Sequence, residues 1–490
     1  MFVGVDIGTQ SLKAIVTDSG LSPLSEVTQC YRAEFPRPGW AEQSPALWED
    51  ALGPVISQAL AQAGVGADRV TALGVCGQLD GCIAVGANGD AIGNCIVWMD
   101  RRAEESLAGV SVDDVHRRSG VVADASHLAA KARWLKRSGG AANKPVRFHG
   151  PVSYVVERLT GRSVMDHAVA STTMVYDLET RGWSSELLSA FELDATELPA
   201  IDDAGACAER LSARGARLTG LPQGIPVAVG TGDDFSTPLG AGIVEPGRIA
   251  VVLGTGEVVG GLIETAVLDG NRLVETHGYP SGGFMLENPG WLCGGALAWA
   301  MELLHVESAA AFDLLAAKAS PGADDVLFVP ALTGAMSPKW IASARGCFYG
   351  LTPAHGPQHL ARAVMEGCAF AMRDVVDRLI ALGVEAKELS LLAGGSRSTL
   401  WAQIRADISG LPVTTPAHVQ TSAIAAAMLA GAAAGEFTSL RQAAALATPP
   451  RSRLQPNPET QAVMSRAYER YRRLCESLDP IFREPVAPHS

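Results

Sequence analysis

Two short segments of the chain carry the same phosphate-holding chemistry. Residues 2–15 read FVGVDIGTQSLKAI and residues 248–261 read RIAVVLGTGEVVGG. In each, a β-branched run stops at a Gly-Thr pair, Gly8-Thr9 or Gly254-Thr255, and then resumes as a second extended run. Such a turn exposes successive backbone N–H groups, and the threonine hydroxyl adds a donor, so the cup suits a phosphate. Gly-Thr turns also occur in ordinary hairpins. Two copies, one opening each half, imply a duplicated domain with a phosphate-bearing ligand between the halves. Just before the second copy stands Gly230-Thr231-Gly232-Asp233-Asp234. A carboxylate beside glycines can approach an alcohol uncrowded and take its proton; the same Asp233 could instead cap a following helix. Asp6 either caps the first turn or holds Mg²⁺ against phosphates, usually through water. Thr9, Gln10 and Ser11 are further donors, and Lys13 is either a phosphoryl-side cation or a solvated strand lysine.

The elements that must position these groups alternate between strands and helices, which implies an α/β fold. At 490 residues the chain is long enough for two domains. The Gly-rich stretch Gly242–Gly247 sets the boundary, giving domains 1–243 and 244–490. The spacing predicts a hairpin around the first Gly-Thr turn, a helix over 48–63 introduced by Ser44-Pro45 and a buried strand 70–76. Further strands are expected at 82–85 and 92–98, mostly helical structure over 103–165, and a polar irregular stretch at 166–181. The segment 225–242 reads as a strand, an acidic turn and a Gly-rich run, and the Ala-rich 421–435 as a core helix able to pack closely on a neighbour. Apolar residues are 47% and charged residues 19%, a soluble globular composition. The net charge of −13 argues against nucleic acid or an anionic membrane as partner. The N-terminus lacks a basic leader pattern, and no apolar run reaches about 18 residues. Nine cysteines, an odd number without a C-x-x-C pair, point to a reducing, cytoplasmic setting without disulfides or a zinc site. The histidines read as structural or surface residues.

Taken in order, the motifs resemble those of the FGGY carbohydrate kinases, most like the xylulokinase-type ketose kinases. GVDIGTQSLKA resembles the first phosphate segment, and GWAEQSPALW the family's Gly-Trp-x-Glu-Gln stretch. GVCGQLDG and VWMDRR are similar to sugar-site segments, GTGDD to the segment with the catalytic Asp, and LGTG to the second phosphate segment. RGCFYGL stands where the naming motif stands, and AGGSRSTLWAQIRADISG resembles the nucleotide-side signature. The resemblance implies a duplicated actin-like (ribonuclease H-like) fold with a cleft between two lobes, ATP and Mg²⁺ as cofactors, a small sugar or polyol as substrate, and possible homodimers. It implies Asp233 as the base, with Asp234 in a capping or sugar-contacting role, and Asp6 at the metal. Thr9, Gln10, Ser11 and Lys13 face the phosphates, as do Gly254 and Thr255 from the other lobe. Gly294, Gly394, Gly395, Ser396 and Thr399 line adenosine, where glycines allow close backbone approach.

For the sugar it implies Gln78, Leu79, Asp80, Asp100 and Asp233, since carboxylates and amides match vicinal hydroxyls; Arg101 and Arg102 read as surface ion-pair residues. Two departures stand out. Leu79-Asp80 replaces the xylulokinase-like Met-His, exchanging a possible donor for a pure acceptor and unsettling D-xylulose against ribulose, erythrulose or erythritol. Gly256-Glu257 replaces a Ser and small residues, so Glu257 is expected to point away from the triphosphate or toward Mg²⁺. Two other classes compete: an actin-like ATPase or phosphohydrolase without a sugar, and a sugar-responsive binding protein that has lost catalysis.

Overall fold

The computed structural model describes residues 1–138, 146–335, 341–446 and 450–484. Residues 139–145, within the stretch expected to be mostly helical, lie outside these. Among the described residues two seven-stranded sheets share one plan. In the first, strand Phe2–Ile7 pairs antiparallel with Ser11–Thr17, which pairs antiparallel with Pro23–Cys30. On its other side Phe2–Ile7 runs parallel to Ala72–Gly77, which is followed by parallel Pro226–Ala228 and antiparallel Cys207–Arg210. The second sheet repeats every sense of pairing. Gly247–Leu253 pairs antiparallel with Gly256–Ile263, then Phe284–Leu292; on its other side it runs parallel to Ala386–Leu392, then parallel Val413–Thr415 and antiparallel Ser452–Leu454. The two Gly-Thr turns therefore close equivalent hairpins. Strand Phe2–Ile7 is buried on both faces, as a β-branched central strand should be.

Helix Pro45–Ala63 begins with Pro45 in its first turn and ends at Gly64 with φ 66°. Residues 166–181 are not a polar irregular stretch. They are largely buried, and Asp166 caps a short helix, His167–Ser171, through the N–H groups of Ala168 and Val169. Asp233–Gly240, expected as a turn and Gly-rich run, is also helical despite Pro238. Tertiary packing explains that helix. Its Ser236 hydroxyl lies 2.8 Å from that of Ser422, and a Cβ on Gly240 would meet Thr421 O at 1.8 Å. The partner, helix Thr421–Ala433, belongs by sequence to the second half but packs on the first sheet. There a Cβ on Gly4 would lie 2.2 Å from Ala423 O, and one on Gly74 1.9 Å from Ala426 O. Only glycine permits that approach of helix to sheet. No helix among the described residues is long and apolar enough to cross a membrane.

Candidate active site

Three parallel strands of the first sheet end at one level. Ile7 pairs with Gly77, and Gly77 with Gly232 of the short strand Thr231–Gly232. The loops leaving these carboxyl ends, the usual place for a ligand in a parallel sheet, carry Gly8-Thr9, Gln78-Leu79-Asp80 and Asp233-Asp234. Asp233 opens the helix Asp233–Gly240, whose N-cap is Gly232 with no side-chain capping bond, so Asp233 is not serving as a cap. Asp233 and Asp234 are half-buried. Among the described residues no side chain hydrogen-bonds either carboxylate. Burial, with Asp234 and Asp6 beside it, pushes the Asp233 carboxyl well above its ordinary range. Burial and Asp80 push Asp234 up to about 6, with His277 opposing. Asp6 is buried; its Oδ2 accepts from Lys13 Nζ at 3.1 Å while its Oδ1 has no partner. Burial lowers the affinity of Lys13 for its proton, but Asp6 and then Asp233 outweigh it and hold the ammonium charged.

The sugar-side loop differs from expectation at several residues. Asp100 is fully buried and its carboxylate is occupied: it accepts from Ala41 N at 2.5 Å and from Arg102 N, Nε and Nη2. It fixes local structure rather than offering lone pairs to a ligand. Arg102 is likewise no surface residue; it bridges Asp100 and Glu42 and stacks over Trp40 at 3.6 Å. Arg101 does pair at the surface, with Asp124 and Glu104. Gln78 is buried, donates to Gln43 Oε1 at 2.7 Å and accepts from Thr9 Oγ1 at 3.3 Å, so it ties the loops together. Leu79 is buried where a Cβ on Gly232 would strike it at 1.7 Å. Asp80 remains accessible to the cleft. Its φ of 54° is unusual for a non-glycine residue, and the conformation is held by Lys131 Nζ donating to its carbonyl and by His127 Nδ1, 3.3 Å from its Oδ1. Burial works against charging both partners. His127 and Lys131 nevertheless hold Asp80 below the usual carboxylate range, and Asp80 and Glu275 raise His127 to about 9.

Sequence reasoning missed His127, Lys131, Gln43 and Trp98, whose indole donates to Thr9 Oγ1 at 3.1 Å. It also missed Glu275, His277 and Glu287, which strands of the second half bring up to this site. Glu275 accepts from Val122 N at 2.8 Å and lies 3.9 Å from His127 Nε2, while His277 sits between Glu275 and Glu287. Burial and Asp234 push the Glu287 carboxyl well up. The Gln in GWAEQ was a legible signal for Gln43; the others carry no local motif.

On the second lobe, Gly254 and Thr255 are exposed at their turn. Thr255 O accepts from Cys293 N at 3.2 Å and Gly295 N at 3.0 Å, and a Cβ on Gly294 would meet Gly254 O at 2.2 Å. The glycine at 294 is therefore required by loop-on-loop packing. Ala393 takes φ 61°, a strained conformation for a residue with a Cβ, and turns the chain into Gly394-Gly395. Gly394 and Thr399 are exposed, whereas the Ser396 hydroxyl is turned inward to Ala393 O at 2.7 Å. Of the two expectations for Glu257 the first fits: it points away from the turn and is buried against Arg405.

Residues 1–240 match the N-terminal domain of the FGGY family of carbohydrate kinases, and residues 249–434 match its C-terminal domain. The chain belongs to this family. This FGGY kinase is 30% identical over 488 residues to the xylulose kinase of Escherichia coli (strain K12), covering 98% of this chain and 100% of that one. It is 34% identical over 452 residues to the glycerol kinase of Rhodospirillum centenum, covering 89% and 90%. Its fold superposes on the crystal structure of xylulose kinase from Rhodospirillum rubrum with a TM-score of 0.90 at 28% identity, covering 98% and 99%. The fold is the two-domain actin-like one, and membership of the family makes the chain a sugar kinase with ATP as phosphoryl donor.

Proposed function

We propose that this kinase transfers the γ-phosphoryl group of ATP to a terminal hydroxyl of a small ketose or polyol, in the manner of D-xylulose to D-xylulose 5-phosphate. The observation that carries this reading is the Asp233 carboxylate. It opens a helix at the carboxyl ends of three strands, level with Gly8-Thr9 and Asp80, and no side chain among the described residues holds it. Phosphoryl transfer needs an in-line hydroxyl, a neutralised triphosphate and a carboxylate that takes the proton. In this reading Asp233 accepts that proton, Asp80 and Asp234 accept from neighbouring hydroxyls, and Lys13 faces the phosphoryl group. The N–H groups around Gly8-Thr9 and Gly254-Thr255 grip the phosphates from both lobes. Mg²⁺, when bound with the nucleotide, supplies charge neutralisation between phosphates, and Asp6, whose buried Oδ1 lacks a partner, would hold it.

The substrate within the class is a separate matter. Xylulose and glycerol kinases resemble the chain to similar degrees. Asp80, where xylulokinase-like chains carry His, favours a second reading, a kinase of ribulose, erythrulose, erythritol or a similar polyol. The test is ADP release across a panel of ketoses and polyols, with Asp233→Ala as control. Sugar-stimulated release that vanishes in the variant supports the reading. ATP turnover indifferent to every sugar, or a variant as active as the parent, would sink it.

A further inference from the structure

Behind the Gly254-Thr255 turn lies a carboxylate that the proposed chemistry does not use. Glu257 is fully buried and meets Arg405, equally buried, through two parallel bonds of 2.8 and 2.6 Å. Cys293 Sγ donates to the same carboxylate at 2.7 Å; burial, with Cys368 and Glu257 nearby, keeps that thiol protonated. Each group comes from a different element, close to one of three loops. Glu257 stands two residues beyond the Gly-Thr turn, and Cys293 immediately precedes Gly294. Arg405 lies on helix Thr399–Ser409, which follows the Ala393–Ser396 loop. The loops also touch directly: Thr255 O binds two N–H groups of the 293–295 segment, and a Cβ on Gly395 would meet Leu253 Cβ at 2.7 Å. The Arg405 guanidinium lies 4.5 Å from the ring of Trp401, which itself packs on Gly395.

A buried ion pair is weak evidence for stability, because apolar groups of similar volume often serve as well; setting a register is its better-attested use. Glu257 and Arg405 are each fully buried, and each is the other's charge partner. We propose that Glu257 and Arg405 are positioning residues that fix the register of the three nucleotide-side loops and thereby set the affinity for ATP and ADP, leaving the sugar side unaffected. The inference rests on assigning those loops to the nucleotide.

The experiment is ADP titration calorimetry on the intact protein, with sugar KM measured beside it. Glu257→Gln alone strands a buried guanidinium and is prone to misfold, so the decisive variant is Glu257→Gln with Arg405→Met, which removes both charges. The expected result is a folded protein whose ADP Kd rises at least about tenfold while sugar KM stays within about twofold. A folded double variant with parental ADP Kd overturns the proposal. So does a double variant without a melting transition, which would make the pair purely structural. Arg378→Met, which breaks the pair to Asp269 in the same half, is the control; an equal loss of ADP affinity there would signify general loosening and also overturn it. If the parent itself fails to bind ADP, the nucleotide assignment falls, a different result from any of these.

Discussion

Asp233 stands beside two other carboxylates, Asp234 and Asp6, in a half-buried setting that favours the protonated acid. Two consequences follow from the sign of that shift. A base with a raised pKa is lost as pH falls through it, so kcat/KM measured from pH 9 downward is expected to decline about tenfold per pH unit once below that pKa. Asp233→Asn should lower kcat by about 10²–10⁴-fold with ADP affinity retained by calorimetry; lost nucleotide binding with normal turnover would contradict the assignment. The sequence singles out Asp233 and Asp6 because the carboxylate and the glycines beside it lie close together in the chain. Asp100 and Gln78 show the converse. Their side chains face Arg102 with Ala41 N, and Gln43 with Thr9, and it takes the folded chain to reveal those partners. His127 was invisible because its partner Asp80 is brought to it only by a loop with positive φ.

At the level of the element, the hairpins and the long helices were legible because a β-branched run, a Gly-Thr stop and a Ser-Pro start are local signals. Helix Asp233–Gly240 was not, since its Pro and Gly argue against helix locally and its support comes from Ser422 and Thr421, far away in sequence. The close seating of helix Thr421–Ala433 was foreseen from its small residues, but not the sheet on which it sits. That contact depends on bare backbone at Gly74, where an added methyl would approach Ala426 O to 1.9 Å. Gly74→Ala is expected to destabilise the protein by about 1–3 kcal/mol or more, the usual range for overpacking. A denaturant midpoint unchanged from the parent would show that the helix can shift outward at little cost.

Across the whole molecule, His127 stands between residues of the two halves of the chain. It touches Asp80 of the first lobe and approaches Glu275 of the second. The groups facing it are Asp80, Glu275 and Asp124, which together hold it protonated to about 9. Because its folded pKa is raised, the charged pair with Asp80 is intact below about pH 9 and lost above it. Between the titration of Asp234 at about 6 and that of His127 at about 9, sugar KM should accordingly be flat, and it should rise above about pH 9. Glu275→Gln, which removes one of the charges sustaining the imidazolium, should move that break toward lower pH; a break that stays in place would show Glu275 to be uninvolved. Helix Thr421–Ala433 links the lobes in another way, because it completes the interior of the first from the far end of the chain. During translation at about 5–20 residues per second, roughly 10–40 seconds must separate the emergence of residue 240 from that of residue 433. Throughout that interval the strip of backbone around Gly4 and Gly74 lacks the helix that covers it in the complete chain, and ribosome-arrested chains ending before residue 421 should be far more sensitive to protease than those released complete.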